Sequence, residues 1–393
     1  MRIERQDLRQ SPFCATIAVP IQQDKHILDT FLCTALDTLS QDYELTLIID
    51  GLQPAVEQTI MARVDQFAGK GIGLTVASSE RPQGWERCIN WALGQRRGRH
   101  FATADSDIIF SDSWADQLFA HFERDNHIGA VGAMLLYPQT GGIQHCGITF
   151  TEDTARHVYL NARPDVVPAA PFSVQCVIGA LFAISDSALK SAGEFDEGYF
   201  NSYSDFDYCM KLRSAGFSIL VDPGVTAYHW ERSNGLHRQF SRRTNLARFW
   251  RRWGNAIQAD SWDFLERRFR PYLDHFGSTL FQPVDIAAAR VDAATVWKRL
   301  NLWGCAMRPL IDCSADISDS GDIWLPQVLG SDGHRNSRPY LFLVDNFVRL
   351  LGNRYWSQLR AGVSTLDIVV DLYGNVIDFH ALQIQSWPGQ KIR

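Results

Sequence analysis

The stretch FATADSDIIFSD, residues 101–112, runs from apolar residues into Asp105 and Asp107, one residue apart, and then returns to apolar residues. Two carboxylates at the exit of a buried strand repel each other and are costly to desolvate, and a cation between them relieves both penalties. Mg2+ and Mn2+ take oxygen ligands and bridge to diphosphate oxygens, so the pair points to metal-assisted chemistry on a phosphorylated substrate. A second D-x-D, Asp205–Phe206–Asp207, follows Ser204. Ser204 with Asp207 three residues later has the spacing of a capping box at a helix start, where both acids also suit the helix dipole. That reading accounts for Asp207 better than for Asp205. His229, near the end of VTAYHW, is either a structural histidine or a neutral imidazole that can ligate Mn2+.

The elements around these residues predict how they are held. CATIAVPI (14–21), ELTLIID (44–50), GLTVAS (73–78) and RHFATAD (99–105) read as short apolar strands. Between them lie segments with helical spacing: one carries Ile27, Leu28, Phe31, Leu32, Ala35, Leu36 and Leu39, and others run over about 54–68 and 85–97. Such alternation predicts an α/β fold with a mostly parallel sheet flanked by helices, and ligands in such sheets bind beyond the carboxyl ends of the strands. Asp50 and Asp105 both fall at such ends. Further on, IGAVGAMLLY and VQCVIGALFAIS read as strands, a helix over about 204–215 ends at Gly216, and FSILVD and VTAYHW follow. An arginine-rich helix over 236–253 ends in WG, which places a domain boundary near 254–258. The expected division is a domain over 1–254 and an α+β extension over 255–393. In the extension, 325–339 reads as a loop, YLFLVDNFVRLL as a helix and DIVVDLYGNVIDFHALQI as a hairpin turning at Gly374–Asn375.

Composition narrows the function classes. The 393 residues are 46% hydrophobic and 21% charged, which is globular, and the net charge of −6 gives no support for a nucleic-acid partner. The charge is uneven: residues 230–254 hold seven arginines against Glu231, a local balance of +6 on an otherwise acidic chain. Eight cysteines without a CxxC pair argue for a reducing, cytoplasmic setting and against a zinc knuckle or disulfide scaffold. MRIERQDLRQ has no apolar signal region, and the longest nearly apolar run is too short to span a bilayer. GKGIGLT precedes a strand, so it does not suit a dinucleotide fingerprint, and Asp312, Asp316, Asp319 and Asp322 lack EF-hand spacing.

The ordered set ATIAVPI, LTLIID-G, GWERCINWALGQRRGRHFATADSD, VIGALFAISDSALKSAGEFDEGYF, SDFDYCMKLRSAGF and VTAYHWERSNG resembles family 2 glycosyltransferases of the GT-A fold, especially a bacterial rhamnosyltransferase-like branch, over residues 13–254. The resemblance implies inverting transfer of a sugar from a nucleotide-diphosphate donor to an acceptor hydroxyl on a glycan, lipid-linked carrier or protein, with Mn2+ or Mg2+ on the diphosphate. It implies that Asp105 and Asp107 are the metal-binding D-x-D and that His229 lies near the diphosphate. Pro20, Asp50, Gly84 and Asn90, with Asp105, are implied to bind the donor, Asp50 at the nucleotide base. Asp205 matches the catalytic base, with Ser204 where glutamate is usual. The helix that carries Arg248, Arg251 and Arg252 opposite Leu246, Phe249, Trp250 and Trp253 has a packed reading and two functional ones: a grip on phosphates, or a peripheral contact with anionic lipid at the inner membrane face. Two alternatives remain. One is a sugar-1-phosphate nucleotidyltransferase, disfavoured because PIQQDKH after the first strand lacks glycine. The other is a non-catalytic nucleotide-sugar-binding scaffold.

Overall fold

A computed structural model describes residues 1–6, 12–22, 27–151, 154–230, 236–261, 263–265, 267, 281–283, 341–344, 368–371 and 373–378. Arg232, the 325–339 loop, residues 345–351, Asp312, Asp316, Asp319, Asp322, Cys305 and Cys313 lie outside the described residues. Two compact units result: residues 1–158 with 162–259, and residues 159–161 with those from 260 on.

The first unit opens with β1 (Arg2–Gln6), β2 (Phe13–Ile21), α1 (Leu28–Thr38), β3 (Tyr43–Ile49), α2 (Pro54–Met61), α3 (Val64–Gly69), β4 (Gly73–Ser78), α4 (Trp85–Gln95) and β5 (Gly98–Ala104). β2 pairs in parallel with β3 and β5, and β3 in parallel with β4. Every residue of β3 is buried, which is what a strand covered by helices on both faces requires. On α1, Leu28, Phe31, Leu32, Ala35 and Leu36 form the buried stripe, as the helical spacing predicts. The expected single helix over 54–68 divides into α2 and α3.

The chain continues through β6 (Ile108–Phe110), α5 (Trp114–Arg124), β7 (Ile128–Leu136), β8 (Ile143–His145), β9 (Ile148–Phe150), β10 (Ala155–His157), β11 (Phe172–Val174), β12 (Leu181–Ile184), α6 (Asp186–Ala192), α7 (Ser204–Ser214), β13 (Ser218–His229) and α8 (Leu236–Trp253). The large sheet has the order β1-β4-β3-β2-β5-β12-β7-β13-β11, with β6 on β13 and β8 on β7. It is a mostly parallel central sheet with antiparallel additions, the expected fold class. The run VQCVIGALFAIS is not one strand. β11 ends at Val174 and β12 begins at Leu181, and the residues between them turn toward the site.

In the second unit the described strands Phe281–Pro283, Leu341–Val344, Ile368–Asp371 and Val376–Asp378 form one small sheet. The first three pair in parallel and the last antiparallel. The hairpin turns at Gly374, with φ 86°, and Asn375, as expected. Leu341–Val344 is a strand and not the start of a helix, because a short apolar run fits either period.

Candidate active site

Strand register builds the first half of the site. β12 runs antiparallel to β5 with Leu181 opposite Ala104, and one further bond, Asp105 N–H to the Ala180 carbonyl at 2.9 Å, fixes the chain just past the strand exit. β6 then folds onto the end of β13 with His229 opposite Ile108, and the Trp230 N–H donates to the Asp107 carbonyl at 3.3 Å. Asp105, Asp107 and His229 are thereby brought together, with potential ligand atoms all within 4.8 Å of one another. His229 Nε2 lies 3.2 Å from Asp107 Oδ1 and 3.6 Å from Asp105 Oδ2.

Gln144 on β8 orients the imidazole. Its Oε1 is 2.6 Å from His229 Nδ1, and its Nε2 donates to the His229 carbonyl at 3.4 Å. With the amide so placed, Nδ1 is the donor to Gln144 Oε1 and Nε2 faces the two carboxylates, where the neutral imidazole would ligate a metal. Two carboxylates and one neutral imidazole form a donor set that suits Mn2+ and, less closely, Mg2+. Nearby His145 accepts N–H bonds from Gly147 and Ile178 on Nε2, and its Nδ1 faces His157 Nδ1 at 3.1 Å. Burial holds both of these imidazoles neutral, His157 down to about 4.

The second half of the site is the start of α7. The capping-box reading fails here. Tyr203, the residue before the helix, is left-handed at φ 67° and makes no side-chain cap, while the Ser204 hydroxyl bonds to Glu86. Asp207 turns inward and is fully buried. Its carboxylate accepts from Trp253 Nε1 at 2.7 Å, Arg252 Nη1 at 3.0 Å and Tyr199 Oη at 3.2 Å. Asp205 instead faces the sheet edge: Oδ2 accepts the Gly179 N–H and Oδ1 the Phe206 N–H, both at 2.9 Å. A Cβ on residue 179 would lie 2.9 Å from the Trp85 ring and 3.5 Å from Asp205 Cβ, so only glycine lets these three groups meet. Since Thr103 on β5 donates to the Gly179 carbonyl at 2.6 Å, the chain that holds Asp205 is the chain that abuts the Asp105 corner.

Asp207→Asn is expected to lower the melting temperature by about 3–8 °C, because bonds to charged groups in buried sites contribute about 1.5–3 kcal/mol. Turnover should change by less than about tenfold, because the Asp207 carboxylate is taken up by Trp253, Arg252 and Tyr199. Thermal melts beside initial rates check both parts.

The remaining sequence candidates are placed as follows. Asp50 is buried, and its carboxylate takes the Gln83 N–H at 2.5 Å, the Gly84 N–H at 3.0 Å, the Ser79 hydroxyl at 3.3 Å and Gln22 Nε2 at 3.4 Å. It clasps the turn that leads into α4. Gly84, at φ 93°, occupies the N-cap of that helix. Asn90 is not brought to the metal corner; its side chain bonds the Phe195 N–H and carbonyl and Glu197, anchoring the α6–α7 connection. Pro20 is buried in β2, beyond the last β2–β5 pair, where its missing N–H costs no ladder bond. Arg248 is paired with Asp196, and Arg252 with Asp196 and Asp207, while Arg251 is exposed.

Two further residues belong to this picture. Gln144 gives no local signal, because its role depends on a pairing between distant strands. Glu86 does have one: it shares the α4 face of Ile89, Asn90 and Leu93, all buried, and a carboxyl on a buried helical face calls for a partner.

The model of glycosyl transferase family 2 matches residues 16–191. The chain is 25% identical over 236 residues to y4gI of Sinorhizobium fredii, covering 56% of this chain and 25% of that protein. It is 23% identical over 278 residues to the O-antigen biosynthesis protein RfbC of Myxococcus xanthus, covering 68% of this chain and 20% of that one. It thus spans a quarter or less of the length of these relatives. Among solved structures, GalNAc-T7 with UDP, GalNAc and Mn2+ superposes with a TM-score of 0.51 at 15% identity, covering 76% of this chain and 55% of that chain. At that identity the likeness is one of fold: a large, mostly parallel central sheet flanked by helices, the GT-A architecture. Residues 16–191, somewhat under half of the chain, are thus similar to glycosyl transferase family 2, on a fold that is shared with GalNAc-T7.

Proposed function

We propose that the chain is a metal-dependent, inverting glycosyltransferase that moves a sugar from a nucleotide-diphosphate donor to an acceptor hydroxyl, in surface glycan or glycoconjugate biosynthesis. The observation that carries the reading is the convergence of Asp105, Asp107 and His229 at the carboxyl edge of the sheet, with Asp205 fixed on the chain segment that abuts it. The ligands of GalNAc-T7, UDP and Mn2+, and the O-antigen role in the name of RfbC agree with it.

Asp105, Asp107 and His229 would hold Mn2+ or Mg2+ against the donor diphosphate. Bound there, the ion would neutralise the charge that gathers on the leaving group. Asp205 accepts the proton of the acceptor hydroxyl while that oxygen bonds to the anomeric carbon. The anomeric bond to the diphosphate breaks with its electron pair on the departing oxygen. Attack from the face opposite the leaving group inverts the centre. Two backbone N–H groups hold the Asp205 carboxylate in place, one on each oxygen.

Among the described residues no helix is long and apolar enough to cross a membrane. An acceptor carried on lipid would bring the chain to a membrane face. Since Arg248 and Arg252 have carboxylate partners, Arg251 is the member of that trio most open to lipid headgroups.

A panel of nucleotide-sugar donors with Mn2+ tests the proposal. One donor should give nucleoside diphosphate release that rises with acceptor and ceases with chelator. Mn2+-dependent donor binding without release under any acceptor would favour the scaffold reading, and neither binding nor release across the panel would overturn both.

A further inference from the structure

Glu86 is 3% exposed in the first turn of α4, and neither the metal corner nor the proton transfer to Asp205 uses it. Its Oε1 accepts the Asn201 N–H at 3.0 Å, and its carboxyl also takes the Ser204 hydroxyl and its own backbone N–H. Asn201 returns the tie, its Oδ1 accepting the Trp85 N–H at 3.3 Å. The start of α4 and the turn that launches α7 are therefore joined in both directions.

That turn needs holding. Asn201 and Tyr203 are non-glycine residues with φ of 51° and 67°, conformations that persist only where neighbours over-determine them. Asp205 follows directly. Burial, reinforced by the charge of Asp205, pushes the Glu86 carboxyl up to about 7. A carboxyl so placed is costly to bury, and the three donors that converge on it tie that cost to the turn it holds.

We propose that Glu86 is the positioning residue of the acid–base site: it clamps the Asn201–Ser204 turn to α4 and so sets where Asp205 meets the acceptor hydroxyl. This rests on the reading of Asp205 as the base. The chain supplies the clamp from a separate helix, and Ser204 is the residue through which it reaches the start of α7.

The test is a set of variants in the full chain, read as kcat and donor KM separately. Glu86→Ala should lower kcat by about 10–100-fold with donor KM within about threefold, the scale of a misplacement near 1 Å. Glu86→Gln, which keeps the acceptor oxygen, should recover most of that loss. Ser204→Ala, which leaves Glu86 in place, should lower kcat severalfold. Because Glu86 acts through Asp205, Glu86→Ala should cost little further in an Asp205→Asn background. Near wild-type kcat in both Glu86→Ala and Ser204→Ala, with Asp205→Asn inactive, overturns the clamp and leaves the base reading standing. So does an equal loss from Glu86→Ala in the two backgrounds. Near wild-type turnover of Asp205→Asn overturns the base reading instead. Should Glu86→Ala fail to fold, Ser204→Ala alone and with Asp205→Asn carries the comparison, and an unchanged kcat in Ser204→Ala then overturns the clamp.

Discussion

Asp205→Asn is expected to bind donor as the wild type does and to lose about 10²–10⁴-fold in turnover, the usual scale of general-base catalysis. An acceptor hydroxyl is a poor nucleophile at neutral pH, and in this chain Asp205 is the carboxylate held toward the sheet edge by two backbone N–H groups. Asparagine keeps the outline of the side chain and one acceptor oxygen. Its amide nitrogen must then face either the Gly179 or the Phe206 N–H, a donor against a donor. The variant should therefore also lose about 1–3 kcal/mol of stability through the unmade bond. The two losses have separate readouts: initial rates with saturating donor and acceptor report the first, and thermal melts report the second. Donor affinity, measured with nucleoside diphosphate and Mn2+, should stay within about threefold, because Asp205 is not among the convergent metal-corner ligands. A small melting shift with near wild-type turnover would show that Asp205 only supports the helix start, and another group would have to take the proton.

The parts of this site that could be read in the sequence are those that depend on local pattern. Asp105 and Asp107 stand out because paired acids after an apolar run are expensive without a cation, and alternating strands and helices put them at a carboxyl edge. His229 is ambiguous until β6 is known to fold back on β13, a pairing of residues more than a hundred positions apart. Asp207 misleads: the serine three residues earlier has the spacing of a capping box, but a left-handed Tyr203 turns the helix start so that Ser204 meets Glu86 and Asp207 meets Trp253. The apolar run 174–185 misleads in a different way. It has the composition of one buried strand, yet the chain must leave the sheet before Leu181 so that Gly179 can reach Asp205. Glu86 was legible by helical period alone, whereas its partners Asn201 and Ser204 come from a loop more than a hundred residues away.

Asp107→Ala is expected to abolish Mn2+-dependent donor binding while the fold survives. Asp107 is the better covered of the two acids, with its side chain 15% exposed against 35% for Asp105, and it lies closer to His229 Nε2. A covered carboxylate loses less to competing water when it ligates, so its removal should cost more than that of Asp105. Titration calorimetry with nucleoside diphosphate, with and without Mn2+, should show the Asp107→Ala affinity in Mn2+ falling by about 10²-fold or more, to the level of wild type without metal. Asp105→Ala should retain part of the metal effect. Gln144→Leu provides the internal control. It leaves all three ligands in place and removes the amide that holds the His229 ring and carbonyl, so Mn2+ affinity should fall by about 10–100-fold, the range for a group that orients a ligand. Electron paramagnetic resonance of bound Mn2+ measures this directly, without reliance on turnover. Mn2+ affinity and metal-dependent donor affinity that are unchanged in both Asp107→Ala and Asp105→Ala would remove the metal centre from this corner.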